Sequence, residues 1–218
     1  SKEFCQKYFS NLSSATIRRE FNFLTTNKYL AQPYWSAGRL PTDKAYQWFI
    51  KENILKKERE ENNELDQWEK KFADFKKLSF EEIAKKISSL CESLTIGYLP
   101  YKQLIYRYGL KKFFEQLEEM DFENWESIWE DVDLLDERLK GKIDKLIEEP
   151  FQIFLGKESP ITHNKDLSVV SYTISYNDKK QNLLILIGPK NMICERNLNI
   201  LKATYNIFNK AEDINNKI

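Results

Sequence analysis

Five consecutive apolar residues, Leu183 to Ile187, are closed by Gly188-Pro189, and this run limits the fold more than any other feature of the chain. It reads as a central strand covered on both sides, ended where proline can no longer donate to a ladder. Just upstream, Val170, Tyr172, Ile174 and Tyr176 alternate with Ser171, Thr173 and Ser175, the period of a half-buried strand. Asn177-Asp178-Lys179-Lys180 supplies the turn between the two. Phe151 to Leu155 is a further strand candidate, and Leu198, Leu201, Tyr205 and Phe208 mark a closing helix over 195–209. Strands joined by a short turn pair antiparallel, so the last third of the chain is expected to hold an antiparallel sheet with helices packed on it.

The middle of the chain is helical. Ser79-Phe80-Glu81-Glu82 matches a capping box, and Ile83, Ile87, Leu90, Cys91 and Leu94 follow at helical spacing. Residues 98–108 are aromatic and β-branched enough for a strand, and 110–149 return to helical periodicity through Phe113, Phe114, Leu117, Trp125, Ile128 and Trp129. From Asp43 to Lys77 the sequence is dense in Glu and Lys, with an apolar stripe of Tyr46, Phe49, Ile50, Trp68, Phe72 and Phe75. Two domains joined by a helical connector over 52–78 fit a chain of 218 residues. Five Trp, eleven Tyr and fourteen Phe exclude a disordered chain, and no apolar run is long enough to cross a bilayer. Ser1-Lys2-Glu3-Phe4 lacks a basic-then-apolar secretion signal, and Cys5, Cys91 and Cys194 are isolated. A reducing cytoplasm is expected, without a metal site.

At the N-terminus, residues 2–9 carry Phe4, Cys5, Tyr8 and Phe9 at helical spacing, and Ser10-Asn11-Leu12 breaks the pattern. A second helix begins at Ser13, a suitable N-cap, and runs through Ile17, Phe21 and Leu24; its other face shows Ser14, Arg18, Arg19 and Asn22. Tyr29 to Gln32 forms a short strand, Pro33 to Gly38 a loop, and Thr42 caps another helix. Net charge is zero overall but +4 over residues 1–50, −7 over 51–150 and +3 over 151–218. Between Glu115 and Glu137 stand eleven acids and no base, a stretch that repels phosphate and faces away from any nucleic acid.

The block Leu12 to Arg19, followed by Gln32 to Tyr46 with Ser36-Ala37-Gly38-Arg39 and Pro41-Thr42-Asp43-Lys44 in step, resembles the HrcA family of heat-inducible transcription repressors. Further matching blocks lie at Gly109 to Gln116, Leu167 to Thr173 and Leu186 to Met192. The resemblance implies an α+β chain: a winged helix-turn-helix domain over 1–51, the connector over 52–78, and a reduced GAF-like antiparallel-sheet domain over 79–218. The first block opens the family's recognition helix and the second its wing. Matching begins inside the helix-turn-helix, so the first helix of the usual domain is expected to be missing. The stretch from Leu94 to Tyr108 is expected to be too short for the middle GAF-like strands and the family's inserted dimerisation domain. Tyr34 and Trp35 also depart from the family's usual His-Thr pair.

The implied DNA-binding residues are Ser13, Ser14, Thr16, Arg18, Arg19, Asn22, Ser36, Gly38 and Arg39. An exposed arginine can pair bidentately with guanine, and Arg39 on its Gly-hinged loop can meet phosphate or a minor groove. Lys28 and Lys44 add nonspecific attraction. As ordinary structure, the same helix would be amphipathic with two solvated arginines. His163, the single histidine, stands in a loop without a nucleophile motif; the acid run reads as a solvated helical face, and Trp125, Ile128 and Trp129 as core. No enzyme, cofactor or metal is expected.

The resemblance implies a cytoplasmic, nucleoid-associated repressor of chaperone genes. It would bind an inverted-repeat operator as a homodimer, be released by heat and be modulated by the chaperonin. Self-association is expected through the 43–77 helix with Trp68, Phe72 and Phe75. Two other readings stand: a regulator whose GAF-like domain binds a small molecule, and a partner subunit of a full-length repressor that does not itself bind DNA.

Overall fold

The apolar run at 183–187 becomes the middle strand of a five-stranded antiparallel sheet. In the computed structural model, residues 2–9, 11–34, 37–52, 63–120, 125–175 and 181–209 are described, and the chain divides into a first unit of residues 1–60 and a second of 61–218.

The second unit holds the sheet: β3 (Leu94–Leu99), β4 (Leu104–Tyr108), β5 (Phe151–Leu155), β6 (Leu167–Ser175) and β7 (Gln181–Pro189), in the order β4-β3-β7-β6-β5. Its longest pairing is β6 on β7, from Leu167 opposite Pro189 to Ser175 opposite Gln181. The turn expected at 177–180 lies outside the described residues. One face carries Leu94, Ile96, Val169, Leu183, Ile185 and Ile187, which pack on Phe113 and Leu117 of α6 (Leu110–Glu119), Ile128 of α7 (Trp125–Asp133) and Leu135 and Leu139 of α8 (Leu135–Leu146). The opposite face, with Val170, Tyr172, Leu184 and Leu186, is covered by α5 (Phe80–Cys91) and α9 (Glu195–Asn209). Gly97 lets α5 approach: a Cβ there would stand 3.0 Å from the Phe80 ring and 3.2 Å from the Ala84 methyl.

This double cover corrects the half-buried reading of β6. Ser171 and Thr173, taken as its solvent face, are buried, because α6 to α8 lie over the side they occupy. A second correction concerns residues 94–108. Leu94 continues the helical phase of α5, yet Glu92 adopts a left-handed conformation (φ 51°) and ends that helix. A hairpin of β3 and β4 follows, bent by the 3-10 turn Pro100–Lys102, where one strand over 98–108 was expected. Room for two sheet strands therefore exists in that short stretch.

Residues 63–78, expected within a connector, pack inside the second unit. α4 (Asn63–Lys71) lies along α9, with Asn199 Nδ2 donating to Glu64 at 3.0 Å and Asn206 Nδ2 to Glu69 at 2.6 Å. Phe72 and Phe75 are buried and stack at 4.2 Å. Of the three residues expected to drive self-association, Phe72 and Phe75 are thus covered by their own unit, whereas Trp68 is half-buried.

A buried ion pair ties the helical layer to the loop before β6. Asp131 on α7 meets Arg138 on α8, and its carboxylate also accepts the backbone N–H of His163 at 2.9 Å and of Asn164 at 3.0 Å. Each carboxylate oxygen is thereby satisfied, the condition under which a buried charge is tolerated.

The first unit comprises α1 (Lys2–Tyr8), α2 (Ser14–Thr26), a two-stranded ribbon of β1 (Leu30–Ala31) and β2 (Leu40–Pro41), and α3 (Asp43–Lys51). Among its described residues only Ile17 is fully buried. Around it Phe4 touches Phe21 at 5.2 Å and Tyr8 at 5.0 Å between ring centroids.

Removing the Asp131 carboxylate strands Arg138 and two backbone donors. Asp131→Ala is expected to destabilise the second unit by about 3–5 kcal/mol, read as a lower urea midpoint at unchanged slope. Gly109 opens α6 at φ +85°, and a Cβ there would stand 2.1 Å from the Ser93 carbonyl oxygen. Gly109→Ala is therefore expected to cost well over the ~1 kcal/mol of an ordinary Gly exchange, measured in the same titration.

Candidate nucleic-acid interface

α2 starts because Ser13 caps it: Ser13 Oγ accepts the Thr16 N–H at 3.1 Å and shares a hydrogen bond with Thr16 Oγ1 at 2.9 Å. Two of the expected DNA-binding hydroxyls are thus engaged in shaping the helix end. Ser14, its first residue, is half-buried, while Arg18, Arg19 and Asn22 project from α2 as exposed side chains. Arg19 lies 3.6 Å from Glu20, with 81% and 53% of the two side chains exposed. Such an exposed pair holds the arginine only weakly.

The helix ends at Asn27 and Lys28, whose left-handed conformation (φ 62°) turns the chain into β1. Thr42 locks this turn. Its hydroxyl donates to the Lys28 carbonyl at 2.7 Å and accepts the Ala45 N–H at 3.4 Å, so one side chain fixes the entry to the ribbon and caps α3. Lys44 Nζ donates to the Asn27 carbonyl at 2.9 Å and lies 4.4 Å from the Tyr29 ring centroid. Within α3, Tyr46 has its phenol pushed up from the usual value by burial, with Asp43 adding to the effect.

Arg39 folds back from the ribbon onto α2. Its Nη2 donates to Asn22 Oδ1 at 2.5 Å, its Nε to Thr25 Oγ1 at 3.2 Å, and the guanidinium sits 5.8 Å from the Phe21 ring centroid. The expected phosphate-reaching residue is therefore also a clasp that sets the ribbon against the helix. Asn22, expected to reach bases or phosphates, is the acceptor in that clasp. Thr25, missed by the sequence reading, completes it; its position one turn beyond Phe21, on the same helical face, was the available signal.

Between the strands, Ala37 N–H bonds to the Tyr34 carbonyl at 2.9 Å and Gln32 Nε2 to the Ala37 carbonyl at 3.0 Å. Gly38 has no positive φ, and a Cβ added there would meet nothing within 4 Å. Its expected role as a hinge therefore has no conformational basis in this structure. Ser36, the ninth expected site residue, lies outside the described residues. The structure thus groups Arg18, Arg19, Asn22 and Arg39 along α2 and the ribbon beside it.

The second unit presents different chemistry. His163 is exposed, with its backbone N–H on Asp131. Burial pushes the Cys91 thiol up to about 12, against a smaller opposing effect of Arg196, so this cysteine is held as an inert thiol. No cluster of three or more His, Cys, Asp or Glu able to hold a metal occurs among the described residues, nor a helix there long and apolar enough to cross a membrane.

Fold and site together define an α+β chain with a small basic helical unit ahead of an antiparallel-sheet unit. The family model described as the HrcA protein C terminal domain matches residues 47–196. The chain belongs to the HrcA family. Similar curated proteins carry the name heat-inducible transcription repressor HrcA. One from Mycoplasmoides gallisepticum is 52% identical over 50 residues, 22% of this chain and 14% of that protein. Another, from Chlorobium luteolum, is 27% identical over 200 residues, 78% of this chain and 55% of that protein. The chain thus spans about half the length of the latter and less of the former. A solved structure of a hypothetical protein shares the fold at a TM-score of 0.61 and 14% identity, covering 96% of this chain and 89% of that one.

Because Thr42 serves two elements, Thr42→Val is expected to cost about 1 kcal/mol. It should speed amide exchange at Ala45, with the second unit's exchange unchanged.

Proposed function

We propose that the chain is a DNA-binding transcription repressor, with the first unit acting as a winged helix-turn-helix in which α2 is the recognition helix and the β1–β2 ribbon the wing. The supporting observation is α2 itself, a capped helix with exposed Arg18 and Arg19, to which Arg39 and Asn22 fasten the ribbon. Arginine forks match guanine O6 and N7, and phosphate contacts set register. The free hydroxyl of Ser14 and, on the wing, Ser36 and Arg39 fit the phosphate role. An unhindered Gly38 lets the wing backbone approach the duplex closely. Ser13 and Thr16 serve by shaping the start of the helix.

The DNA-binding domain is taken as 1–51 and the GAF-like domain as 79–218, with residues 63–78 packed in the same unit as the latter. The genes repressed are those of the heat-shock chaperones, through an inverted-repeat operator released on heating, in the bacterial cytoplasm at the nucleoid. A homodimer matches the two half-sites, and the chaperonin is the modulator.

The test is binding of the purified chain to an inverted-repeat duplex and to a scrambled one, across salt concentrations. Arg18→Ala or Arg19→Ala at a base contact should cost about 1–3 kcal/mol and relax specificity at that base. Arg39→Ala should weaken all sequences alike and lower the salt slope by about one. Binding of all three variants as tight as that of the parent rejects the reading.

A further inference from the structure

Between the end of α4 and the flank of α5 the second unit carries a pocket of about 250 Å³, lined by Lys71, Phe72, Phe75, Lys86, Ser89 and Leu90. Its walls follow from the local sequence. Phe72 leaves α4 and, through the 3-10 turn Ala73–Lys77, stacks on Phe75, so the two rings form one apolar wall. Lys86, Ser89 and Leu90 stand three and four residues apart on α5, beside the face that buries Ile83 and Ile87. None of the lining residues is an acid.

The two ammonium groups are held by aromatic rings. Lys71 Nζ lies 4.5 Å from the Trp68 ring centroid and Lys86 Nζ 5.8 Å from that of Phe75, contacts that orient a cation and leave its charge uncancelled. Among the described residues neither enters an ion pair, whereas Lys77 meets Asp74 at 2.6 Å. Arg196 brings a further positive charge to the same corner, 5.8 Å from the Trp68 centroid, with its Nη1 donating to the Leu90 carbonyl at 2.9 Å. Residues 51–150 are acidic as a whole, yet Lys70 to Lys86 hold six lysines against three acids. Those acids are engaged. Asp74 pairs with Lys77, Glu81 accepts the Tyr108 hydroxyl, and Glu82, one turn before Lys86, accepts the Ser79 N–H and hydroxyl at 2.8 Å each. Glu92, one turn beyond Ser89, lies within electrostatic reach of Lys112.

An exposed ammonium by itself holds an anion weakly. A molecule that offers a carboxylate to the lysines and a compact apolar body to the phenylalanines gains from both walls at once. We propose that this pocket binds a small carboxylic acid, its carboxylate held by Lys71 and Lys86 with the Ser89 hydroxyl as a further donor, and its apolar body against Phe72, Phe75 and Leu90. The volume suits a body of about one ring, since a cavity of about 150 Å³ already holds benzene. The pocket lies wholly in the second unit, so it stands or falls independently of DNA binding by the first.

The test is a titration of the isotope-labelled full chain with benzoate, followed by amide shifts, with benzamide, inorganic phosphate and duplex DNA as comparison ligands. Benzoate is expected to shift the amides of Phe72, Phe75 and Ser89 saturably, with a dissociation constant of about 1 mM or below. Benzamide keeps the shape without the charge and phosphate the charge without the apolar body, so each should bind at least about ten-fold more weakly. Lys71→Gln/Lys86→Gln should raise the benzoate dissociation constant about ten-fold, and Lys71→Arg/Lys86→Arg should largely retain binding. Ser89→Phe, which fills the pocket from an exposed helix position, should abolish it. Unchanged circular dichroism and unshifted amides of β6 and β7 establish that each variant is folded. Benzoate that gives no saturable shift, binding indifferent to the glutamine pair or to Ser89→Phe, or phosphate bound as tightly as benzoate overturns the proposal. So does duplex DNA that shifts these same amides where benzoate does not, an outcome that marks the corner as a nucleic-acid contact instead.

Discussion

The pairing of β6 with β7 is the constraint on which the second unit depends. Each strand contributes nine residues to the ladder, and shifting β7 by one residue against its neighbours would exchange the two faces of β7. Leu183, Ile185 and Ile187 would then leave the α6–α8 side, and Leu184 and Leu186 the α5–α9 side. Because both faces are apolar, the sheet tolerates helices on either side; the side chains at each position decide which helix fits. Gly97 illustrates the point, since a Cβ there would press on Phe80 at 3.0 Å and Ala84 at 3.2 Å, the residues that seat α5 on β3.

Burial on both faces also explains where polar groups gather. The helical layer over β6 is crossed by the Asp131–Arg138 pair, which uses its spare acceptor capacity on the backbone of residues 163 and 164. A charge inside an otherwise apolar layer thereby becomes a positional device: it fixes the loop ahead of β6 to α7 and α8 at one distance. On the other face, α4 and α9 are joined by side-chain amides donating to Glu64 and Glu69. These contacts draw residues 63–71 into the sheet unit.

How much of this was legible in sequence follows from the range of the interactions. Local signals carried well. The capping box at Ser79 and Glu82, the caps at Ser13 and Thr42, the apolar run of β7 and the closing helix all appear as read. What failed depended on contacts between distant segments. Ser171 and Thr173 look like a solvent face until α6 to α8 are placed over them. Phe72 and Phe75 look like an interface until α9 covers them. Leu94 keeps the helical phase, and only the left-handed Glu92 assigns it to β3. In the candidate interface, the exposure of Arg18 and Arg19 could be read from periodicity. The engagement of Arg39 with Asn22 and Thr25 joins residues fourteen and seventeen positions apart, and no periodicity reports that.

The two units differ in what holds them together, and that difference bears on how each would work. The second unit rests on a large buried core, so its local opening free energy approaches that of global unfolding. The first unit buries Ile17 alone among its described residues, and its shape relies on directional polar links: Ser13 to Thr16, Thr42 to Lys28 and Ala45, Arg39 to Asn22 and Thr25. Links of this kind contribute about 0.5–1.5 kcal/mol each. Any partner that occupies α2 and the ribbon therefore also stabilises their arrangement, and part of its binding free energy is used in ordering them. Arg39 sits where the two demands meet. A phosphate brought to its guanidinium must replace or share the bonds to Asn22 and Thr25, so the contact that draws in a polyanion also adjusts the angle of the ribbon on the helix. Under the function proposed above, the same residue would couple recognition to the local fold.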